Sequence, residues 1–255
     1  MNIFVLLKQT FDTEERIVIE GGEISDDGVK YVMNPYDEYA VEEALLQRDQ
    51  HGGSITVVGV GPERTAEALR TALAMGADEA VLIGNEGLAI DEYTVSRLLA
   101  AYLSQQSYDL ILGGNFSVDS GGGQVAVRLA QLLDIPHTSS ITKLTISGQQ
   151  AAAERDAEGD TEKLEVTLPA VFTAQQGLNE PRYPSLPGIM KAKKKPFHRI
   201  AAADLGVSDS DAAAKTKRVS LSLPPQRQAG RILQGDYAQQ AAELVSLLRN
   251  EAKLI

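Results

Sequence analysis

The sequence contains no cysteine, no tryptophan and only three histidines. The absence of cysteine excludes disulfide frameworks, thiol catalysis, cysteine-bound zinc and cysteine-bound iron–sulfur clusters. His51, His137 and His198 lie far apart in sequence, whereas metal sites usually need clustered donors, so we expect loop or surface residues and no metal site. Any redox chemistry must then come from a bound cofactor.

Basic residues are also scarce, since 24 Lys and Arg stand against 35 Asp and Glu, for a formal charge of −11. Such a chain lacks the concentrated positive surface that nucleic-acid binding requires. No hydrophobic run reaches the roughly 18 residues of a membrane span, and the first residues enter a strand pattern without a basic leader. We therefore expect a cytoplasmic protein with no nucleic-acid partner and no membrane insertion.

Hydrophobic residues make up 43% of the 255 residues and follow two alternating patterns. Short, near-continuous apolar runs are typical of parallel strands buried on both faces, and they occur at 2–7, 54–60, 79–83 and 109–113. Amphipathic helical patterns occur at 35–51, 62–75, 91–106 and 121–133. Repeated β–α units predict an open, mostly parallel, twisted α/β sheet with helices on both faces, a Rossmann-like arrangement.

The remaining segments do not follow this alternation of strands and helices. Residues 10–32 contain two brief β-like pieces, 16–20 and 23–24, and predict a hairpin excursion. Alternating patterns at 139–146, 150–154 and 163–168, followed by an apolar run at 170–174, predict mixed strands flanking the sheet. Residues 177–197 predict a long ordered loop, 204–217 an exposed stretch, and 234–253 an amphipathic helix. We divide the chain into a nucleotide-binding domain, 1–200, and a C-terminal arm, 201–255, that packs on a partner.

A glycine-rich loop between Gly113 and Gln124 leads into a predicted helix. Its three consecutive glycines, Gly121 to Gly123, leave backbone N–H groups bare ahead of a positively polarised helix N-terminus, which suits a nucleotide phosphate. The loop matches neither a Walker P-loop nor a GxGxxG fingerprint, and without its own lysine it suits a monophosphate or a bridging diphosphate. The alternative is a turn that merely lets helix and strand pack.

Three further segments should meet this loop: the end of the first strand, the start of the first helix and the end of the second strand. Ligands bind open parallel sheets beyond the carboxyl ends of the strands, where the strand order reverses. Asn34, Pro35 and Asp37 begin a helix, where they are either plain capping residues or contacts to adenine or ribose. Small residues around Val60 allow a base to approach, or simply form a turn. No Ser/His/Asp order, GxSxG or HExxH motif occurs, so we expect an electron carrier or binding protein rather than an enzyme with its own acid, base or nucleophile.

A proline-rich segment, 178–195, combines apolar Leu186, Ile189 and Met190 with four lysines in an otherwise acidic chain. A preorganised loop with an exposed apolar anchor beside basic residues suits docking to an acidic partner. The alternative is a core-facing loop kept soluble by its lysines.

Four segments carry a resemblance to a known family: VLLKQTFDT at 5–13, MNPYDEYAVEEAL at 33–45, LRTALAMGADEAVLI at 69–83, and LPAVFTAQQGLNEPRYPSLPGIMKAKKKP at 168–196. The chain resembles the beta subunits of electron transfer flavoproteins along most of its length. The resemblance implies pairing with an alpha subunit that holds nearly all of a redox-active FAD, while this chain buries an AMP without a redox role. The AMP contacts carried over by position are Leu6, Asn34, Pro35, Tyr36, Asp37, Val60, Asp119, Ser120, Gly121, Gly122, Gly123, Gln124, Val125, Ala126, Val127 and Ala130.

The resemblance also implies how electrons pass. The proline-rich segment aligns with the family's recognition loop, whose leucine, here Leu186, anchors the heterodimer on acyl-CoA dehydrogenases and related flavin dehydrogenases; a quinone oxidoreductase is the acceptor. Asp156 aligns near an acidic position that contacts the flavin domain of alpha. The docking residues carried over are Tyr183, Leu186, Pro187, Ile189, Met190 and Lys191.

One departure concerns the phosphate loop, DSGGGQVAV at 119–127. It matches neither the Asn/Gln-rich loop common among ordinary members nor the pattern of flavin-bifurcating members. We favour AMP in this site, with a second, redox-active FAD as the alternative. A free-standing adenine-nucleotide sensor is a further alternative, although the C-terminal helix and the segment after Ser139 are hard to explain that way.

Overall fold

A nine-stranded sheet forms the centre of the chain, and the α/β class predicted from the sequence is confirmed. The computed structural model describes residues 1–85, 87–226 and 229–255. The strands are β1 (Asn2–Leu6), β2 (Gln9–Phe11), β3 (Ile19–Glu20), β4 (Glu23–Ile24), β5 (Tyr31–Met33), β6 (Ser54–Gly61), β7 (Glu79–Gly84), β8 (Leu110–Gly114), β9 (His137–Ser147), β10 (Gln150–Ala157), β11 (Asp160–Thr167), β12 (Ala170–Ala174) and β13 (Phe197–Ala201). The helices are α1 (Pro35–His51), α2 (Ala66–Met75), α3 (Glu92–Leu103), α4 (Val125–Leu133), α5 (Leu186–Ala192), α6 (Asp209–Ala212) and α7 (Tyr237–Asn250).

The sheet runs in the order β11-β10-β9-β12-β8-β1-β6-β7-β13. The strands from β9 to β13 in this order are parallel, and β10 and β11 add an antiparallel hairpin at one edge. The order reverses at β1, which pairs with β6 on one side and with β8 on the other. Ligands of open α/β sheets bind beyond the strand ends at such a reversal.

Side chains of β1 alternate between two hydrophobic layers. Ile3 and Val5 pack toward α1 and α2, and Phe4 and Leu6 pack toward α3 and α4. Fully burying each aliphatic side chain contributes roughly 1.5–3 kcal/mol, so a central strand favours an unbroken apolar run. The helices therefore lie on both faces of the sheet, as the sequence predicts.

Several predicted boundaries differ from the structure, and two of them concern the glycine-rich loop and the hairpin excursion. The helix expected from 121 begins at Val125, because Gly121 and Gly123 have φ angles of +66° and +61° that a right-handed helix does not allow. The excursion at 10–32 is confirmed, with β2 pairing to β5 and an inner hairpin of β3 and β4, but its first inner piece is limited to Ile19–Glu20.

The segment predicted as a loop at 177–197 contains a short helix, α5. The Ser185 side chain accepts a hydrogen bond from the Gly188 amide at 3.1 Å, and Pro187 lies in the first turn, where a missing N–H costs nothing. The following strand, β13, pairs with β7 at the other edge of the sheet and was not predicted.

The C-terminal part is only partly exposed. Ala212, in the stretch predicted to be exposed, is buried against α3. The predicted helix at 234–253 is present as α7, which begins with a capping box of Asp236 and Gln239 and has no buried residue. In the described part of the chain, no helix combines the length and the apolarity needed to span a bilayer.

Candidate functional site

A cavity of about 780 Å³ opens at the strand ends where β1 and β8 separate. Ten residues of the carried-over nucleotide site line it: Leu6, Asn34, Asp37, Val60, Asp119, Ser120, Gly123, Gln124, Val125 and Ala126. The other carried-over positions are not among the lining residues: Pro35, Tyr36, Gly121, Gly122, Val127 and Ala130. Of these, Tyr36 packs on Phe116 with ring centroids 4.2 Å apart, and Ala130 is fully buried in the core.

Asn34 precedes α1, but its side chain makes no helix-cap hydrogen bond, so the capping interpretation is wrong for Asn34. Pro35 at the start of the helix and Asp37 in its first turn are as that interpretation expects. Its Nδ2 donates to the Phe116 carbonyl at 2.9 Å and to Asp37 at 3.0 Å, and its Oδ1 accepts from the Val118 amide at 3.2 Å. Since Asn34 is 1% exposed, these bonds form in the interior, where an unmade bond is costly. Asn34 therefore fixes the loop that follows β8.

Asp37 lies one turn into α1 and joins the ends of β1 and β8. Its carboxylate accepts the Lys8 amide at 2.7 Å, the Gly114 amide at 3.0 Å and the Asn34 side chain. Burial raises the pKa of Asp37 to about 7, although the three donated hydrogen bonds oppose that shift. A Cβ at Gly114 would overlap the Asp37 carboxylate, so this junction requires glycine.

Some backbone amides of the glycine-rich loop are hydrogen-bonded within the protein, whereas those at the start of α4 have no acceptor in the helix. The amides of Ser120 and Gly121 donate to the Ser117 carbonyl, at 3.3 and 2.8 Å, so these two predicted phosphate donors are already engaged. The first three amides of α4, beginning at Val125, have no acceptor within the helix, as at any helix N-terminus. An anion bound here would therefore contact the backbone amides of the turn just before α4 and of the first turn of α4.

Lys8 supplies a cation that the glycine-rich loop itself lacks. Its Nζ donates to Asp119 at 2.7 Å and to Ser117 Oγ at 3.1 Å, which holds the loop against the end of β1. The sequence analysis did not single out Lys8, because its partners are more than 100 residues away along the chain.

The start of α3, a distant C-terminal segment and the hairpin excursion also line the cavity, although no sequence pattern predicted it. Ile90, Asp91, Glu92, Val95 and Leu99 come from the α3 side, Thr216, Lys217 and Arg218 from the C-terminal segment, and Phe11, Glu23, Ile24 and Asp26 from the hairpin excursion. No spacing pattern could have joined these segments, since only tertiary packing brings them together.

Asp91 joins the start of α3 to the C-terminal segment. It caps α3 by accepting the Thr94 amide at 2.9 Å, and it accepts the backbone amides of Lys215 and Thr216, both at 2.8 Å. The Thr216 hydroxyl donates a further bond at 2.9 Å. Burial raises the pKa of Asp91, but these donated hydrogen bonds outweigh it and hold the pKa well below its ordinary value. Asp91 is therefore charged at neutral pH and holds residues 215 and 216 against the start of α3.

The proline-rich segment presents an apolar surface to solvent, contrary to the core-facing alternative. The exposed fractions are 93% for Tyr183, 79% for Leu186, 72% for Met190 and 44% for Ile189, and Pro187 and Lys191 are exposed as well. We call residues 183–191 the apolar tip.

Polar contacts hold the base of that segment on α1 and α2. Arg182 donates to both carboxylate oxygens of Glu42, with Nε to Oε2 and Nη2 to Oε1 each at 2.8 Å. Asn179 donates to Glu43 at 3.1 Å, and Lys195 Nζ donates to the carbonyls of Leu73 and Ala77, at 2.9 and 2.5 Å. The apolar tip is thus exposed on a fixed base.

The remaining candidates lie at the surface. Asp156 is exposed near the end of the β10–β11 hairpin. His51 and His137 are exposed, and His198 contacts Glu79 at 2.7 Å. Within residues 1–85, 87–226 and 229–255, no group of three or more His, Cys, Asp or Glu side chains could hold a metal ion.

Comparison with known proteins identifies the family. A profile of the electron transfer flavoprotein domain matches residues 22–205. The chain is 59% identical over 257 residues to the electron transfer flavoprotein subunit beta of Bacillus subtilis (strain 168), covering all of both chains. It is 40% identical to the same subunit of Syntrophomonas wolfei, covering 100% of this chain and 98% of that one, and 37% identical to the human subunit, covering 90% and 91%. This chain belongs to the electron transfer flavoprotein family, within which its relatives are beta subunits.

Proposed function

We propose that this chain is the AMP-binding beta subunit of a heterodimeric, cytoplasmic electron transfer flavoprotein. The observation that carries the proposal is the cavity at the strand reversal, which combines apolar walls at Leu6 and Val60 with the N-terminus of α4. Apolar walls suit a purine base, and helix N-terminal amides suit a phosphate. Gly121 and Gly123 have positive φ angles, and the first amides of α4 that follow this turn have no acceptor within the helix.

In this proposal AMP has a structural role. The amides near Gly123 and Val125 hold its phosphate, and Asn34 and Asp37 keep the surrounding loops in place rather than contacting the base. AMP filling the cavity would tie together the ends of β1 and β8 and the start of α4.

The alpha subunit holds nearly all of the FAD, and this flavin supplies the one- and two-electron chemistry. The present chain contributes scaffold and docking rather than an acid, a base or a nucleophile. Asp156, on its exposed hairpin, faces the flavin domain of alpha in this proposal.

The apolar tip docks on acyl-CoA dehydrogenases and related flavin dehydrogenases, and a quinone oxidoreductase accepts the electrons. Leu186 serves as the anchor, because it is exposed on a fixed base, and Lys191, Lys193 and Lys194 beside it attract an acidic rim.

A second candidate occupant is FAD in place of AMP. The cavity extends past the AMP positions to the hairpin at Glu23 and Asp26, so it has room for a ligand longer than a monophosphate. A redox-active flavin there would make the protein a bifurcating member.

The deciding experiment is to co-express the chain with its alpha partner, denature the purified complex, and count the released nucleotides. We expect one FAD and one AMP per heterodimer. Two FAD and no AMP would move the protein to the bifurcating class, and a complex without flavin would contradict the proposal.

A further inference from the structure

The C-terminal segment that crosses the cavity, residues 215–218, is fixed at one end, and we call it the strap. The Thr94 hydroxyl donates to the Ala212 carbonyl at 2.7 Å, and Ala212 itself is buried. Three residues later, the strap donates three hydrogen bonds to Asp91, all between 2.8 and 2.9 Å. The next two residues, Lys217 and Arg218, line the cavity.

The strap lies close to the phosphate-binding end of the cavity. Asp91 is followed by Glu92, whose carboxylate lies against Gly122, since a Cβ at Gly122 would overlap it. The strap and the glycine-rich loop therefore contact neighbouring residues at the start of α3, Asp91 and Glu92.

The charges around the cavity indicate why cations are needed there. Its lining carries six carboxylates, at Glu23, Asp26, Asp37, Asp91, Glu92 and Asp119. Among the lining cations, Lys8 is engaged by Asp119 at 2.7 Å, and Arg218 reaches Glu23 only at 3.4 Å, where both side chains are exposed. Lys217 has no ion pair with any described residue. A phosphate would meet repulsion unless the strap supplied positive charge.

We propose that Lys217 and Arg218 bind the phosphate of the nucleotide, and that Asp91 is the positioning residue that holds the strap over the cavity. The inference rests on the proposed nucleotide site and adds to it a cation pair from a segment outside the glycine-rich loop. Phosphate recognition by Lys and Arg through charge-assisted hydrogen bonds would complement the amides of α4.

The test compares AMP with adenosine, because the two differ only in the phosphate. Both are titrated calorimetrically into the full-length chain, into the double variant Lys217→Gln/Arg218→Gln, and into Lys163→Gln, a lysine on β11 whose side chain is 76% exposed, as a matched control. We expect the double variant to bind AMP about tenfold more weakly, with its adenosine affinity unchanged. Equal AMP affinity, or an equal loss for both ligands, would overturn the inference.

Titration of the wild-type chain distinguishes failure of the proposed AMP site from failure of the role given to the strap. If it binds AMP no better than adenosine, the proposed AMP site is contradicted and this inference falls with it. If it prefers AMP and the double variant retains that preference, only the role of the strap is contradicted.

Asp91→Ser tests the positioning role. Serine still caps α3 but is too short to hold the strap, so helix content measured by circular dichroism should stay unchanged while the preference for AMP over adenosine falls. An unchanged preference in this variant would show that Asp91 only caps the helix.

Discussion

At the residue scale, Asn34 and Asp37 illustrate how buried polar groups organise a binding site without facing solvent. Asn34 holds the loop after β8, and Asp37 accepts amides from the ends of β1 and β8. Removing one partner of such a network leaves the other donors unpaired in the interior, which costs about 1–3 kcal/mol per group.

Asp37 should make the stability of the protein depend on pH. Its folded-state pKa is raised to about 7 from 3.8, so the folded protein binds the proton more tightly than the unfolded chain. The contribution of this group to the free energy of unfolding is therefore fully present below pH 3.8 and falls as the pH rises to about 7.

Urea unfolding of the wild type and of Asp37→Asn at several pH values tests this expectation. Between pH 4 and 7 the wild type should lose more than about 1 kcal/mol relative to the variant. Asp160→Asn, at an exposed strand position, is the control and should follow the wild type. A constant difference between wild type and Asp37→Asn would contradict the assignment.

A single substitution at Leu186 tests the docking role of the apolar tip. Leu186→Ala should weaken docking by about 2 kcal/mol, close to 30-fold, and slow electron acceptance from a flavin dehydrogenase. Flavin and AMP content should not change, because the side chain is 79% exposed. Leu132→Ala, on the exposed face of α4, is the control. Reduced flavin content in Leu186→Ala would instead indicate a structural role.

At the scale of elements, α1 links the two proposed sites. Its N-terminus carries Asn34 and Asp37 at the cavity, and one to two turns later Glu42 and Glu43 hold Arg182 and Asn179 at the base of the apolar tip. The Glu42 side chain is only 6% exposed, so its bidentate pair with Arg182 is largely desolvated on the carboxylate side.

Breaking that pair should loosen the segment that carries the tip. Arg182→Gln leaves Glu42 buried without its partner, so trypsin should cut after Lys191, Lys193 and Lys194 several-fold faster than in the wild type. The double variant Glu42→Gln/Arg182→Gln removes the buried charge and should recover part of the protection.

The matched control is Arg155→Gln, which breaks the more exposed pair with Glu162 on the β10–β11 hairpin. Cleavage is followed by mass spectrometry. Equal rates in the wild type, Arg182→Gln and the double variant would show that the pair does not order the segment.

At the scale of the whole molecule, the end of the C-terminal arm contributes little to the core, since none of the described residues after Arg218 is buried. No residue of α7 is buried, and Leu244, Val245 and Ile255 are exposed. An amphipathic helix with an uncovered apolar face is consistent with the proposed packing on the alpha subunit.

Deleting residues 219–255 should therefore leave the melting temperature of the chain within a few degrees of the full-length value, since little buried surface is lost. The deletion should retain the AMP site and the strap but abolish co-purification with alpha. Retention of alpha by the truncated chain would contradict the role proposed for the arm.

Much of the fold could be predicted from local patterns. The strand runs at 2–7 and 54–60 and the helix Pro35–His51 agree with the structure to within a residue or two. β13 could not be predicted, because an edge strand of mixed residues carries little periodic signal, and α5 is too short to show helical periodicity.

The sequence by itself determined the α/β architecture, the strand reversal region and the family, because central strands buried on both faces require unbroken apolar runs and the motifs are contiguous. Only the tertiary structure decided that Asn34 holds a loop instead of capping a helix, and that Thr216 meets Asp91 beside the cavity. Contacts between residues more than 80 positions apart depend on how the helices pack on the sheet, which no local pattern records.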